Sequence, residues 1–305
     1  MKLNMTKTEH IYPLKLKCVA KQTVWGGNLL SEKYGKPNID QLGETWELSV
    51  REKEQSIILN GVCQGLTLGE YLDKYTSISS KGFPILIKFI DARDRLSVQL
   101  HPQNEKTEMW HILEADDDAT IIFGAKDGMD KKSISDAVAD GRVEDALRYI
   151  KVKAGETYFI PAGMVHAIGK GILLAEIQQN SDTTYRFYDY GRPRELHVKK
   201  ALECFTPFTD NEIAKIRFSR EADAKDGEIL ASCEYFTVVK HKIFDKKEFN
   251  LKKISFMSLL CVEGRGIIEW ENGKEELAAG DSIFIPGEIE CFKITGSVSL
   301  LETTV

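Results

Sequence analysis

Two separated stretches of this chain are written to one template. Residues 154–168 read AGETYFIPAGMVHAI, and residues 279–294 read AGDSIFIPGEIECFKI. Each opens Ala-Gly-acidic and runs through a short apolar strand ending Phe-Ile-Pro. Each then turns on a glycine and starts a second strand. Proline stands at the strand end, where its missing N–H costs the ladder least, and glycine supplies the tight turn. A chain with two such hairpins is constrained to a β-rich fold with an internal duplication. Aligned without a gap through the proline, His166 of the first copy meets Cys291 of the second.

The rest of the chain agrees. Segments 85–90, 95–100, 120–123, 157–160, 172–178, 235–241, 255–262, 266–270 and 282–285 are short and rich in β-branched and aromatic residues. Gly, Pro, Asn or Asp punctuates them, which predicts strands in a sandwich or jelly-roll barrel. Helices are expected only as small insertions, at 68–75, 133–140, 143–150 and from 199 to 204. Ser133 and Asp136 are the expected N-terminal caps of an insert at about 126–150. The polar stretch 203–226 reads as a connector, dividing the chain into residues 1–205 and 206–305.

The shared pattern G-[DE]-x-x-x-x-P-x-G-x-x-H resembles the second motif of the cupin superfamily. The resemblance implies a mainly β protein of two cupin-like jelly-roll barrels. The first keeps a metal-binding histidine and the second has lost it.

Residues 85–104 read ILIKFIDARDRLSVQLHPQN. Side chains alternate faces along a strand, so Gln99 and His101 share one face and Pro102 ends the strand. In KTEMW, a few residues on, Lys106, Glu108 and Trp110 share a face. Gln99, His101, Glu108 and His166 therefore offer two imidazoles, a carboxylate and an amide oxygen. This donor set suits Zn²⁺ with an open position. Ligand softness alone also allows Mn²⁺, Fe²⁺, Co²⁺ or Ni²⁺. His10, His111, His197 and His241 are expected to be structural or solvated; His111 has the wrong parity relative to Glu108.

Composition narrows the classes of function. A net charge of −6 gives no basis for nucleic-acid binding. No apolar run reaches signal-peptide or membrane-spanning length, so a cytoplasmic protein is expected. The six cysteines are scattered without a CxxC pair, which predicts reduced, buried thiols.

Further stretches converge on one family. WGG (25–27), ETWELS (44–49), IKFIDARDRLSVQLHP (87–102), KTEMW (106–110), FIPAGMVHAI (159–168) and AEIQQNSDTTYRFYDYGR (175–192) resemble class I mannose-6-phosphate isomerase, above all its short bacterial form. The likeness is dense over residues 12–200 and loose beyond. It implies one zinc ion per chain on Gln99, His101, Glu108 and His166, and an active-site arginine at Arg186. It also implies a small sugar-phosphate substrate and aldose–ketose isomerisation through an enediol. One departure is visible: only six residues separate His101 from Glu108, where family members often carry a longer insertion.

Such chemistry needs a cation at the developing oxyanion, a proton carrier and a pocket for phosphate. Lys106, beside Glu108, is a candidate substrate contact. Lys88 stands inside an apolar strand, where an unpaired charge is costly, so it either reaches the site or pairs internally. Glu44 and Glu47 flank Trp46 as acid/base candidates, with Glu47 preferred for substrate binding. Strand alternation places Tyr188 on the face of Arg186. The competing readings are a cupin dioxygenase using Fe²⁺ and a non-catalytic sugar-binding cupin. A monomer or homodimer is expected.

Overall fold

The computed structural model describes residues 7–216, 227–251 and 254–305. Its frame is a six-stranded sheet built around the strand Ile85–Ala92. That strand pairs with Ile172–Gln179 in unbroken antiparallel register, from Ile85 opposite Gln179 to Ala92 opposite Ile172. Ile172–Gln179 pairs in turn with Glu108–Ala115, and that strand with Thr157–Ile160. On the other side lie Val19–Gly27 and Leu42–Leu48. A five-stranded sheet faces it, in the order Leu147–Lys151, Thr120–Ala125, His166–Ile168, Val98–Leu100, Tyr185–Tyr188. Trp25, Ile90, Trp110, Phe123, Tyr158 and Ile168 contribute to the core of this barrel.

The six-stranded sheet is covered on both faces. Its outward residues Leu48, Ile85, Ile87, Phe89, Met109 and Ile177 join a second core with Val238, Phe256, Leu260, Phe284 and Leu301 of the C-terminal half. Each such side chain contributes roughly 1.5–3 kcal/mol when removed from water. Burial on both faces explains why every residue of Ile85–Ala92 is buried and why its sequence is apolar almost throughout. Lys88 and Asp91 are its two charged residues.

The C-terminal strands form a nine-stranded sheet that curls round a third core of Leu259, Ile268, Ile283, Ile285, Phe292 and Leu300. Two N-terminal strands belong to this sheet. Leu14–Lys17 pairs with Ser282–Pro286, Leu14 opposite Phe284, and Ile57–Ile58 pairs with Leu14–Lys17. The mainly β, cupin-like architecture expected from the duplicated hairpin is the one observed.

Local expectations fare unevenly. Helices Leu68–Tyr75 and Val198–Cys204 form where expected, the first closed by a capping box between Thr67 and Glu70. The segment 143–150 is not a helix: a short 3₁₀ turn, Val143–Ala146, leads into the edge strand Leu147–Lys151. Val143, Ala146, Leu147 and Ile150 satisfy helical spacing, but pairing with Thr120–Ala125 wins. The cap of helix Lys131–Ala139 is Asp130, not Ser133 or Asp136; its Oδ1 accepts from the Ser133 N–H at 2.7 Å. Segments 255–262 and 266–270 are one strand, Phe256–Trp270. Helix Asp210–Ile216 occupies part of the expected connector, whose residues 217–226 lie outside the described ones. The cysteines are free, but only Cys63 and Cys261 are buried; Cys291 is exposed. Among the described residues no helix is long and apolar enough to cross a membrane.

His111 ties the halves together. It is buried, Nδ1 lies 2.9 Å from Thr157 Oγ1, and Nε2 accepts from Lys240 Nζ at 3.0 Å. Burial, and then the Lys240 charge, push its pKa from 6.5 to about 3. Between those values the unfolded chain binds the proton and the folded one does not. This contribution to stability is complete above pH 6.5 and is lost as the pH falls toward 3. The slope is at most about 1.4 kcal/mol per pH unit. In urea titrations of metal-free protein, His111→Gln should lose about 2 kcal/mol less than the parent between pH 6.5 and 5. Equal losses would refute the assignment.

Candidate active site

Three strands and one turn carry the site. Val98–Leu100 positions Gln99 and ends one residue before His101; Glu108 opens the strand Glu108–Ala115; His166 opens His166–Ile168. Gln99 and His166 are direct antiparallel partners. The turn before His166 uses Gly163 at φ +84°, where any Cβ would meet Gln103, Thr206 and the Cys204 carbonyl. Glycine is required there on both counts.

His101, Glu108 and His166 are buried, and each offers a ligand atom within 4.8 Å of the others. His101 Nε2 lies 3.5 Å from Glu108 Oε2, and His166 Nε2 lies 3.4 Å from Glu108 Oε1. Each imidazole is oriented from behind. His101 Nδ1 lies 2.9 Å from the Thr183 carbonyl, and His166 Nδ1 lies 2.9 Å from the Met164 carbonyl. A carbonyl can only accept, so both Nδ1 atoms carry the proton and both Nε2 lone pairs face Glu108. Burial, then the Lys106 charge, lower the His101 pKa to about 4, and burial lowers that of His166. Both rings are neutral at pH 7, as ligands must be.

Glu108 supplies the test of fit. Both carboxylate oxygens are buried and neither accepts a hydrogen bond. Burial works against its charge, yet the Lys106 ammonium beside it holds the carboxyl well below the usual range. A buried carboxylate short of hydrogen bonds, beside two aimed Nε2 lone pairs, fits a divalent cation. Gln99 Nε2 lies 3.4 Å from His166 Nε2. Half a turn of that amide would bring Oε1 to the same place.

A charged row runs from this cluster toward Glu44, the most exposed of its members. Lys106 Nζ is 2.8 Å from Glu108 Oε2 and 3.9 Å from Glu176 Oε1; Lys88 Nζ is 3.1 Å from Glu176 Oε1 and 3.6 Å from Glu44 Oε2. Lys106 is 4 % exposed, so it is no surface lysine. Burial opposes the Lys88 charge, but Glu176 and Glu44 outweigh it and raise its pKa. Arg186 pairs across the sheet with Gln99; its Nη1 donates to the Glu195 carbonyl, and its buried Nε has no partner.

Two expected residues lie elsewhere. Glu47 does not join the row: its carboxylate takes Lys36 Nζ at 2.6 Å and Thr45 Oγ1 at 2.6 Å, on the opposite face of Leu42–Leu48. Parity along that strand puts Glu44 in the site instead. Tyr188 does not share the face of Arg186. A bulge between them breaks the alternation, and its hydroxyl donates to Glu144 at 3.0 Å.

Glu176 and Gln178 were missed. Glu176 Oε2 accepts from Trp110 Nε1 at 2.9 Å, while its Oε1 and Gln178 Oε1 are buried without a hydrogen bond. The signal was available: polar side chains at alternate positions of the buried strand Ile172–Gln179, on the face of Glu108 and Lys88.

Fold and site together define a cupin with a candidate metal centre at the mouth of its N-terminal barrel. Residues 13–120 match the family model for phosphomannose isomerase type I, catalytic domain, and residues 227–305 that for mannose-6-phosphate isomerase, cupin domain. Mannose-6-phosphate isomerase ManA of Bacillus subtilis is 34 % identical over 306 residues, covering 93 % of this chain and 96 % of that one. The Streptococcus mutans mannose-6-phosphate isomerase is 32 % identical, covering 95 % and 97 %. The crystal structure of mannose 6-phosphate isomerase from Bacillus subtilis superposes with a TM-score of 0.88 at 32 % identity, over 96 % of this chain and 99 % of that one. The chain belongs to the type I mannose-6-phosphate isomerase family.

Proposed function

We propose that this chain interconverts mannose 6-phosphate and fructose 6-phosphate, using one Zn²⁺ held by Gln99, His101, Glu108 and His166. The observation that carries the reading is the buried cluster of His101, Glu108 and His166: a carboxylate ion-paired by Lys106 at 2.8 Å, with an imidazole Nε2 within 3.5 Å of each of its oxygens, in a member of this family. A bound Zn²⁺ supplies Lewis acidity at the sugar's O1/O2 oxygens as negative charge develops there.

The protein's own groups do the remaining work. Arg186, with a buried unpartnered Nε, donates to the developing enediolate. Lys106 and Lys88 present ammonium groups along the same face and hold the substrate oxygens. Glu176 Oε1 is the proton carrier the geometry favours, because it lies 3.1 Å from Lys88 and, unlike Oε2, accepts no hydrogen bond. Assignment of residues 1–205 to the catalytic half and 206–305 to a C-terminal half is part of this reading, as are a cytoplasmic location and a monomeric or homodimeric state.

The test is zinc content of the purified protein together with a coupled assay for fructose 6-phosphate. No turnover of mannose 6-phosphate at full metal occupancy would sink the proposal. Arg186→Ala should keep its zinc and lower kcat about 100-fold. Loss of zinc in that variant would show that Arg186 supports the ligands rather than the reaction.

A further inference from the structure

We infer that Gln178 is a positioning residue for the metal ligand His101, acting through the turn at residues 179–183. This role rests on the proposed metal site and leaves its ligand set as it stands.

His101 lies beyond the end of its strand. Val98–Leu100 stops one residue earlier, so the ladder does not fix the ring. The Thr183 carbonyl fixes it instead, 2.9 Å from Nδ1. That carbonyl stands in irregular backbone, residues 181–184, between the strands Ile172–Gln179 and Tyr185–Tyr188. A carbonyl outside a ladder keeps its direction only where other bonds anchor the chain that carries it.

Gln178 supplies the inner anchor. It is fully buried and stands directly opposite Glu108 across the ladder. Its Nε2 donates to the Ser181 carbonyl at 2.6 Å and to the Gln179 carbonyl at 2.8 Å. Both acceptors are carbonyls, so the amide has one permitted orientation, with Nε2 toward the turn. From there the bonds continue to the site. The Thr183 N–H donates to Ser181 Oγ at 3.2 Å, and the Thr183 carbonyl accepts from His101 Nδ1. The residue beside Glu108 thereby sets the direction of His101, and one run of bonds governs two ligands that lie 3.5 Å apart. An imidazole ligand is oriented by such partners behind it, and losing them costs metal affinity.

Two further observations favour this role over a structural one. Gln178 Oε1 is buried and accepts no hydrogen bond. Leaving that oxygen unsatisfied is a cost, so for stability alone an apolar side chain would serve better. What an apolar side chain lacks is the pair of N–H donors, and both go to the turn. The outer side of the loop is held by Arg51, whose Nη1 donates to the Asn180 carbonyl at 3.0 Å and whose Nη2 pairs with Asp182 at 2.7 Å. Asp182 is 60 % exposed, which makes that pair a weak anchor.

The test uses the full chain, with zinc affinity measured by competition with a chelator. Gln178→Met removes both donors and adds no charge. It should raise the Kd for zinc about 10-fold, with the urea midpoint of the metal-free protein nearly unchanged. The visible absorption bands of the Co²⁺-loaded protein should shift as well, because a rotated imidazole alters the ligand field. A merely structural role would move neither readout. Ser181→Ala breaks the next bond of the run and should act in the same direction. The double variant should lose no more affinity than the worse single one. A zinc Kd within about 2-fold of the parent, with unchanged Co²⁺ bands, in Gln178→Met would overturn the inference. So would additive losses in the double variant. If Gln178→Met does not fold, Ser181→Ala decides by the same Kd and the same bands. A parent chain that binds neither Zn²⁺ nor Co²⁺ would sink the metal site itself, and this role with it.

Discussion

His166→Ala should strip the metal and abolish activity in one step. Zinc per chain after dialysis should fall from about one to below about 0.1, with kcat/KM lower by more than about 1000-fold. The imidazole is fixed by the Met164 carbonyl behind it and by the Gly163 turn before it. Deletion leaves His101 and Glu108 as the remaining members of the His/Glu/His cluster. Arg186→Ala provides the contrast, since it should lose turnover with zinc retained. Elemental analysis alongside the coupled assay separates the two. A His166→Ala protein that kept its full zinc would show that the ligand set is wrong.

Lys88→Met should cost about 3–5 kcal/mol of stability. The side chain is 8 % exposed and stands in a strand buried at every position. Methionine matches its apolar stem and lacks only the terminal ammonium, so the loss is mainly that of the charge. Without the ammonium, Glu176 at 3 % exposure keeps the Trp110 indole and Lys106 at 3.9 Å, and Glu44 keeps the Trp46 indole and more distant cations. The double variant Lys88→Met/Glu176→Gln should recover part of the loss, because the orphaned charge leaves with its partner. Urea denaturation at pH 7 measures both. A loss below about 1 kcal/mol would mean that water, not Lys88, compensates these carboxylates.

The parts of the site legible in the sequence were those fixed by local rules. Pro102 ends a strand, so the parity of Gln99 and His101 could be read directly; the duplicated Pro-Gly hairpin located His166. Lys88 was conspicuous because a charge inside ILIKFI demands a partner. What could not be read depended on partners far away in the chain. Choosing between Glu44 and Glu47 requires knowing which face of Leu42–Leu48 looks into the barrel. Both faces are buried, so hydrophobic alternation gives no answer. Tyr188 was misplaced because a bulge is set by pairing with Val98–Leu100, not by its own residues. Residues 147–150 follow helical spacing but complete a sheet edge, where tertiary pairing overrides local preference.

The pairing of Leu14–Lys17 with Ser282–Pro286 bears on how the chain is made. On the ribosome the barrel that carries His101 and His166 emerges first, but the partner of one of the earliest strands is the penultimate strand of the chain. Leu14–Lys17 has a near partner in Ile57–Ile58, but its pairing with Ser282–Pro286 spans more than 260 residues and is a late, high-contact-order event. The second barrel lacks the histidine of its hairpin, yet it is what finally receives the amino-terminal strand.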